Sequence, residues 1–416
     1  MTAVGSLRVD GARLWARLHE MAAIGATPNG GCNRQALTDL DRDGRDLFVR
    51  WAKEAGCTIA IDQVGNIFAR REGADPSAEP VVTGSHLDTQ ETGGKFDGVF
   101  GVLAGLEVLQ TLQDAKAETR RPVEVVVWTN EEGCRFAPAM LGSGVVAGTY
   151  DLDFAYGRRD KQGLTFGDEL RRIGYLGDVA AAPRNLAALF EAHIEQGPIL
   201  DREATTIGIV KGIQGAYWFD VTLTGASAHA GPTPMDMRRD PWRALTKIVD
   251  GTFELADTRA PWGRATFGDI KAIPGARNTV PEKLILSIDI RHPDPAELEI
   301  MVQSLKRLVL ESAAAHGIDA EIEQIWHMPP TAFDPFLVGQ IAKSAASLGL
   351  SAREMISGAG HDSLHTAQYA PTAMIFVPCA QGISHNEMES AEPDDLTAGA
   401  NVLLHAMLAI ANDKKE

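Results

Sequence analysis

Basic charge in excess, paired cysteines and long apolar runs are all missing from this chain, and each absence closes off a class of function. Lysine and arginine together number 39 against 56 aspartates and glutamates, leaving a formal charge of −17 at pH 7. Nucleic acid and anionic membrane both demand a basic face, so neither is an expected partner. The four cysteines, Cys32, Cys57, Cys134 and Cys379, stand far apart. They read as reduced thiols, forming neither a disulfide framework nor a zinc knuckle. No stretch approaches the ~18 uncharged apolar residues of a membrane-spanning helix. Near the N-terminus, Arg8, Asp10, Arg13, Arg17 and Glu20 interrupt the apolar residues, unlike the core of a signal peptide. The expected location is therefore cytoplasmic. Low-complexity tracts are also missing, and 44% hydrophobic with 23% charged residues is the balance of a folded soluble protein.

What is present, over 416 residues, exceeds one hydrophobic core and predicts two domains. Residues 7–25 and 38–56 read as helices, the second with Thr38 as cap and Gly56 as stop. Residues 59–70 read as strand, turn at Val64-Gly65-Asn66, and strand again. A short apolar run at 80–84, a helical pattern at 98–112 and the β-branched run VEVVVWT at 123–129 follow. That last run has the composition of a strand buried on both faces. Strands alternating with helices predict an α/β domain with a mostly parallel sheet. From about 212 to 327 the order becomes strand (214–225), helix (240–253), two strands (265–272, 283–291), helix (295–316), strand (318–325). This is the β-α-β-β-α-β order of a ferredoxin-like α+β unit. The α/β pattern then resumes with a helix at 335–348, a strand at 372–377 and a helix from about Pro393. The predicted organisation is a catalytic domain at 1–211 and 328–416, interrupted by an inserted domain at 212–327.

Several histidines and carboxylates fall beyond strand ends, where open α/β sheets bind ligands. His86 and Asp88 follow the run at 80–84, and Asp97 opens the helix at Gly98. Glu131 and Glu132 follow the strand ending at Thr129, and His193 and Glu195 follow the run at 189–192. His385 lies after the strand ending at Val377. Imidazole and carboxylate donors without thiolate suit Zn²⁺ foremost, with Mn²⁺ or Co²⁺ as alternatives. One carboxylate can bridge two cations ~3.5–4 Å apart, as in two-metal hydrolases.

SHLDT at 85–89, GGKFDGVFG at 93–101, TNEEGCRFAPAMLGS at 129–143, HIEQGP at 193–198 and SHNE at 384–387 stand in order along the chain. Together they resemble the dinuclear amidohydrolases of the hydantoinase/carbamoylase type. That group includes N-carbamoyl-L-amino acid hydrolases, β-ureidopropionases and allantoate amidohydrolases, and is related to aminoacylases and dinuclear zinc carboxypeptidases. The resemblance implies a dinuclear-zinc-peptidase-like catalytic domain holding two divalent metals, with the insert acting as lid and dimerisation domain of a homodimer. His86 and His193 would each hold one metal, Asp97 would bridge both, and Glu132 and His385 would complete the two spheres. Asp88 would orient His86 through its second ring nitrogen, and Glu131 would act as general base.

On the substrate side the resemblance implies contacts from Gln196, His229, Asn278, Arg291 and the Gly360-His361 segment, with His229 reaching the neighbouring subunit's site. Arg291 offers a planar fork matched to a carboxylate, and His229 could donate to the oxyanion formed as water attacks. The pair His361 and His365 lacks the glutamate of a zinc HExxH helix, so His365 reads as structural. The run GSGVVAG at 142–148 reads as a flexible turn. The expected reaction is removal of the carbamoyl group from an N-carbamoyl amino acid, either an α-amino acid or β-alanine. Alternatives are an allantoate amidohydrolase, an N-acyl amino acid aminoacylase or peptidase, and a metal-binding scaffold without turnover.

Overall fold

The computed structural model describes residues 6–413. Contacts divide the chain into two units, one running through Gly212 and resuming at Ala332, the other spanning Ile213–Thr331. The first unit opens with α1 (Gly11–Ala23) and α2 (Asp39–Glu54). The Thr38 side chain accepts from the Asp41 N–H, satisfying one of the amides that the first turn of α2 leaves unpaired. The antiparallel hairpin β1 (Thr58–Ile61) and β2 (Ile67–Arg71) follows.

Next come β3 (Val81–His86), α3 (Val99–Asp114) and β4 (Val123–Trp128). β3 and β4 are buried along their whole length, which explains their nearly unbroken apolar character. The strand β3 extends two residues beyond the run read from sequence, so His86 is its last residue rather than a loop residue. Four short helices and two strands complete this half: α4 (Leu141–Val146), α5 (Leu152–Tyr156), α6 (Phe166–Arg172), β5 (Ala188–Ile194), α7 (Ile199–Glu203) and β6 (Ile207–Ile213). The GSGVVAG run is not a flexible turn: its first five residues lie in α4, whose small side chains are all buried.

The second unit contains β7 (Gly215–Thr224), β8 (Ala228–His229), α8 (Pro241–Asp257), β9 (Arg264–Ile273), β10 (Thr279–Val280), β11 (Lys283–His292), α9 (Pro295–Ala315) and β12 (Asp319–Met328). Its four long strands form an antiparallel sheet in the order β12-β7-β11-β9, a split β-α-β arrangement. Along β11 buried and half-buried residues alternate strictly, so one face of the sheet carries the core. Phe219, Val221, Leu286 and Ile288 there pack with Ile248 of α8 and Leu305 of α9. β8 and β10 make a separate two-stranded ribbon.

The first unit resumes within β13 (Thr331–Ala332) and continues with α10 (Pro335–Ser347), β14 (Ala352–Ser357), α11 (Ser363–Thr366), β15 (Thr372–Val377) and α12 (Pro393–Ala411). Its sheet runs β1-β2-β4-β3-β5-β15-β6-β13, with β14 also beside β6. The central four strands, β4, β3, β5 and β15, are mutually parallel, and antiparallel strands flank them. β4 lies on one side of β3 and β5 on the other. The chain therefore reverses direction across the sheet at β3, the point where open α/β sheets leave a crevice at their carboxyl ends. No helix among the described residues is long and apolar enough to cross a membrane.

Candidate metal centre

Four adjacent parallel strands deliver their C-terminal residues to this crevice. β3 ends at His86, β5 carries His193, and the loops after β4 and β15 carry Glu131, Glu132 and His385. Asp97 enters from the loop before α3, directly ahead of Gly98. That glycine has φ +66°, and a Cβ there would lie 2.2 Å from His86 Nε2, so only glycine fits without displacing the imidazole.

Asp97 is the centre of the cluster. Its Oδ1 lies 3.2 Å from His193 Nε2 and 3.9 Å from His86 Nε2, and its Oδ2 lies 3.4 Å from His385 Nε2. His385 Nε2 is also 3.4 Å from Glu132 Oε2. Two three-donor groups share Asp97, His86–Asp97–His193 and Asp97–Glu132–His385, each with its donor atoms mutually within 4.8 Å, and a third, Glu191–His193–His361, adjoins them through His193. The five residues assigned to metal from sequence thus come together, but their grouping differs from the assignment. His86 and His193 face the same oxygen of Asp97 and belong to one group, rather than one to each.

The role of Asp88 also differs from expectation. His86 Nδ1 meets the main-chain carbonyl of Asp88 at 2.8 Å. The Asp88 carboxylate instead accepts from the N–H groups of Glu131 and Glu132, at 3.3 and 3.2 Å. The tight bend His86-Leu87-Asp88 brings that carbonyl back to the ring, so the imidazole is oriented by backbone while the side chain fixes the twin glutamates. His193 is oriented similarly, Nδ1 lying 2.9 Å from the Ile194 carbonyl. With both Nδ1 atoms engaged by carbonyl oxygens, each ring turns Nε2 toward Asp97.

Glu131 is buried, and its Oε2 lies 3.5 Å from His86 Nε2, yet it belongs to neither donor group. Its carbonyl accepts from Met140 N–H at 2.6 Å, which clamps the 131–140 loop. Burial, reinforced by Asp362, Glu132 and Asp88, raises its pKa well above the usual range. Burial and the charge of Asp97 do the same to Glu132. Burial also resists ionisation of Asp97, but His193, His86 and His385 outweigh it and hold that carboxyl below the ordinary range. His86 is lowered to about 4, chiefly by burial. Such a concentration of buried carboxylates faced by imidazoles is costly without compensating positive charge, and its donor chemistry fits divalent cations.

Gln196, held at φ +56°, donates from Nε2 to Asp97 Oδ2 at 2.9 Å, and its buried Oε1 has no protein partner among the described residues. His361 is only 2% exposed. Its ring packs 4.6 Å from that of His193, and its Nε2 meets Ser357 Oγ at 3.0 Å. The imidazole is thus buried against the ring of His193, whereas Gly360 beside it is half-buried. Glu195 caps α7 by accepting from Ile199 and Leu200. Cys134 is pushed up to about 12, mainly by burial, which fits a resting thiol better than a nucleophile.

His229, Asn278 and Arg291 belong to the second unit. His229 pairs with Thr279 in the β8–β10 ribbon, and Ala230 N–H donates to the Asn278 carbonyl at 2.9 Å, so the first two are neighbours. His229 is exposed, and its Nδ1 accepts from Gly231 N–H at 3.1 Å, which places the proton of the neutral ring on Nε2. The Nε–Nη2 edge of Arg291 holds Asp289, two residues earlier on β11, at 2.9 and 2.7 Å. The fork assigned to a substrate carboxylate is thus engaged on its own strand.

Sequence reasoning missed Gln90, Ser384 and Glu389. Gln90 Nε2 donates to Glu132 Oε2 at 2.6 Å, and Ser384 Oγ donates to Asp97 Oδ2 at 2.9 Å. Gln90 directly follows SHLDT and Ser384 opens SHNE, and that proximity to the candidate ligands was the available signal.

The profile of peptidase family M20/M25/M40 matches residues 82–409. The chain belongs to that family. It is 48% identical over 404 residues to an N-carbamoyl-L-amino-acid amidohydrolase of Rhizobium meliloti, covering 97% of both chains. An allantoate amidohydrolase of Bacillus subtilis is 33% identical, with 94% of this chain and 95% of the relative covered. Among solved structures, an amidase of the hydantoinase/carbamoylase family from Burkholderia multivorans superposes with a TM-score of 0.96 at 53% identity, over 98% of this chain and 99% of that one. Membership and donor set together make the cluster a divalent-metal site, and the chain a hydrolase of amide C–N bonds.

Proposed function

We propose that this protein hydrolyses the carbamoyl group of N-carbamoyl amino acids, using two divalent cations and Glu131. The observation that carries this reading is the pair of donor groups sharing Asp97, with Glu131 beside them and outside both. His86, Asp97 and His193 would hold one ion, and Asp97, Glu132 and His385 the other, with Zn²⁺ foremost and Mn²⁺ or Co²⁺ as alternatives. Bound there, the cations supply Lewis acidity, polarising the ureido carbonyl and lowering the pKa of water toward ~7.

Glu131 takes a proton from the attacking water and returns it to the nitrogen that departs as the C–N bond breaks. The amino acid leaves with its free amine, and the carbamic acid formed with it falls apart to ammonia and CO2. Gln196 Oε1 accepts from the ureido nitrogen. In the second unit, Arg291, kept in plane by Asp289, is assigned the substrate's carboxylate, with Asn278 and the Gly360 backbone assisting. His229 Nε2–H donates to the developing oxyanion. Dimerisation through the inserted domain would supply that histidine to the neighbouring subunit's site.

The decisive assay is ammonia release from a panel of N-carbamoyl-L-α-amino acids, N-carbamoyl-β-alanine and allantoate, each with and without chelator. Chelator-sensitive turnover of the carbamoyl amino acids is the expected result. Preference for allantoate would favour the reading suggested by the Bacillus relative, and silence on every substrate after metal reloading would overturn the proposal.

A further inference from the structure

Glu389 lies outside both donor groups, in the same loop as His385 and four residues further along. It is 3% exposed, yet no lysine or arginine among the described residues accounts for its burial. Its Oε1 accepts two main-chain N–H groups, from Phe96 at 2.8 Å and from Asp97 at 3.1 Å. Its Oε2 lies 3.2 Å from Ser384 Oγ, the same hydroxyl that reaches Asp97 Oδ2 at 2.9 Å. One carboxyl group thus grips Asp97 by its backbone, and its second oxygen lies against the hydroxyl that donates to the Asp97 side chain.

The opposing wall is built to admit it. A Cβ on Gly94 would fall 2.0 Å from Glu389 Cδ, and no left-handed backbone angle otherwise demands glycine there. Glycine at 94 therefore makes room for the carboxylate rather than for the chain's own turn. Resting on the metal-site reading above, we infer that Glu389 is a positioning residue for the shared ligand Asp97, tying the loop of His385 to the loop of Asp97 so that both donor groups keep one geometry.

The mechanism makes a quantitative demand. Groups that orient metal ligands typically contribute a factor of roughly 10–100 in metal affinity. Glu389→Ala, which leaves the Phe96 and Asp97 amides without their acceptor, should weaken divalent-ion binding by about that factor. Gly94→Ala should do the same from the other side, because its methyl displaces the flexible end of Glu389 while the backbone tolerates alanine. Glu389→Gln keeps an acceptor oxygen for the two amides and should restore most of the affinity.

Zn²⁺ and Mn²⁺ titrations of the chelated full-length protein, by calorimetry and by competition with a chromophoric chelator, read these values directly. Thermal melting of the same metal-free samples separates positioning from a general loss of stability. The inference holds if both alanine variants bind metal more weakly than wild type while Glu389→Gln stays close to it. It is overturned if the alanine variants melt earlier but bind metal as wild type does, or if Gln and Ala are equally impaired. Should Glu389→Ala fail to fold, Gly94→Ala decides alone. Wild-type protein that takes up neither ion overturns this inference together with the metal-site reading, whereas tight wild-type binding with unaffected variants overturns only the inference.

Discussion

Glu131 and Glu132 are consecutive in sequence and meet different partners, because Asp88 pins both amides while their side chains diverge. Glu132 Oε2 is held by Gln90 and faces His385, whereas Glu131 faces His86 from outside the donor groups. Glu131→Gln should therefore keep its full metal content by elemental analysis and lose about 10²–10⁴-fold in kcat, the usual contribution of a general base. Unchanged kcat would remove Glu131 from proton transfer. Asp88→Ala should leave His86 oriented, since a main-chain carbonyl does that, but strand two buried amides at a cost of about 1–3 kcal/mol. Urea unfolding would measure the loss, and kcat should fall with it. The five candidate donors were singled out because they lie beyond strand ends, in motifs that resemble those of a known family. The task of Asp88 was not legible, because a side chain and its own carbonyl cannot be told apart without coordinates. Glu389 was invisible for a stronger reason: its partners are amides 293 and 292 positions away.

The elements themselves were readable wherever burial imposes a pattern. β15 occupies the residues expected of it, and Thr38 caps α2 as predicted. Replacing Thr38 with alanine should cost ~1 kcal/mol, visible as a lower denaturation midpoint. Among the longer strands β6 and β14 escaped notice, as did the two-residue strands β8, β10 and β13. The strand β14, AREMIS, is half-exposed at the sheet's side and alternates too weakly to stand out. α4 was misread because glycine and serine suggest a turn, whereas here their small size lets a buried helix pass close to its neighbours. At the junction of loop and α3, Gly98→Ala combines an unfavourable φ with a clash on His86, so metal uptake should fail while the far-UV circular dichroism persists.

For the molecule as a whole, cations that neutralise this buried carboxylate cluster stabilise the fold by linkage. At 100 times its dissociation constant a ligand contributes about 2.7 kcal/mol, so chelation should lower the melting temperature and abolish turnover, and readded metal should restore both. Melting that ignores the chelator would argue against a loaded site. Arg291→Ala should raise KM more than it lowers kcat if that guanidinium anchors substrate, and an unaltered KM would send the carboxylate elsewhere. The position of β15 between β5 and β6 has its own consequence for how the protein is made. A ribosome must deliver residue 377 before the middle of the sheet can close, by which time the whole insert has already emerged. Nascent chains halted earlier would carry the first imidazoles and carboxylates with a gap where the last parallel strand belongs. Assembly of the reaction centre is thus deferred until the parallel strand that follows the insert has been made.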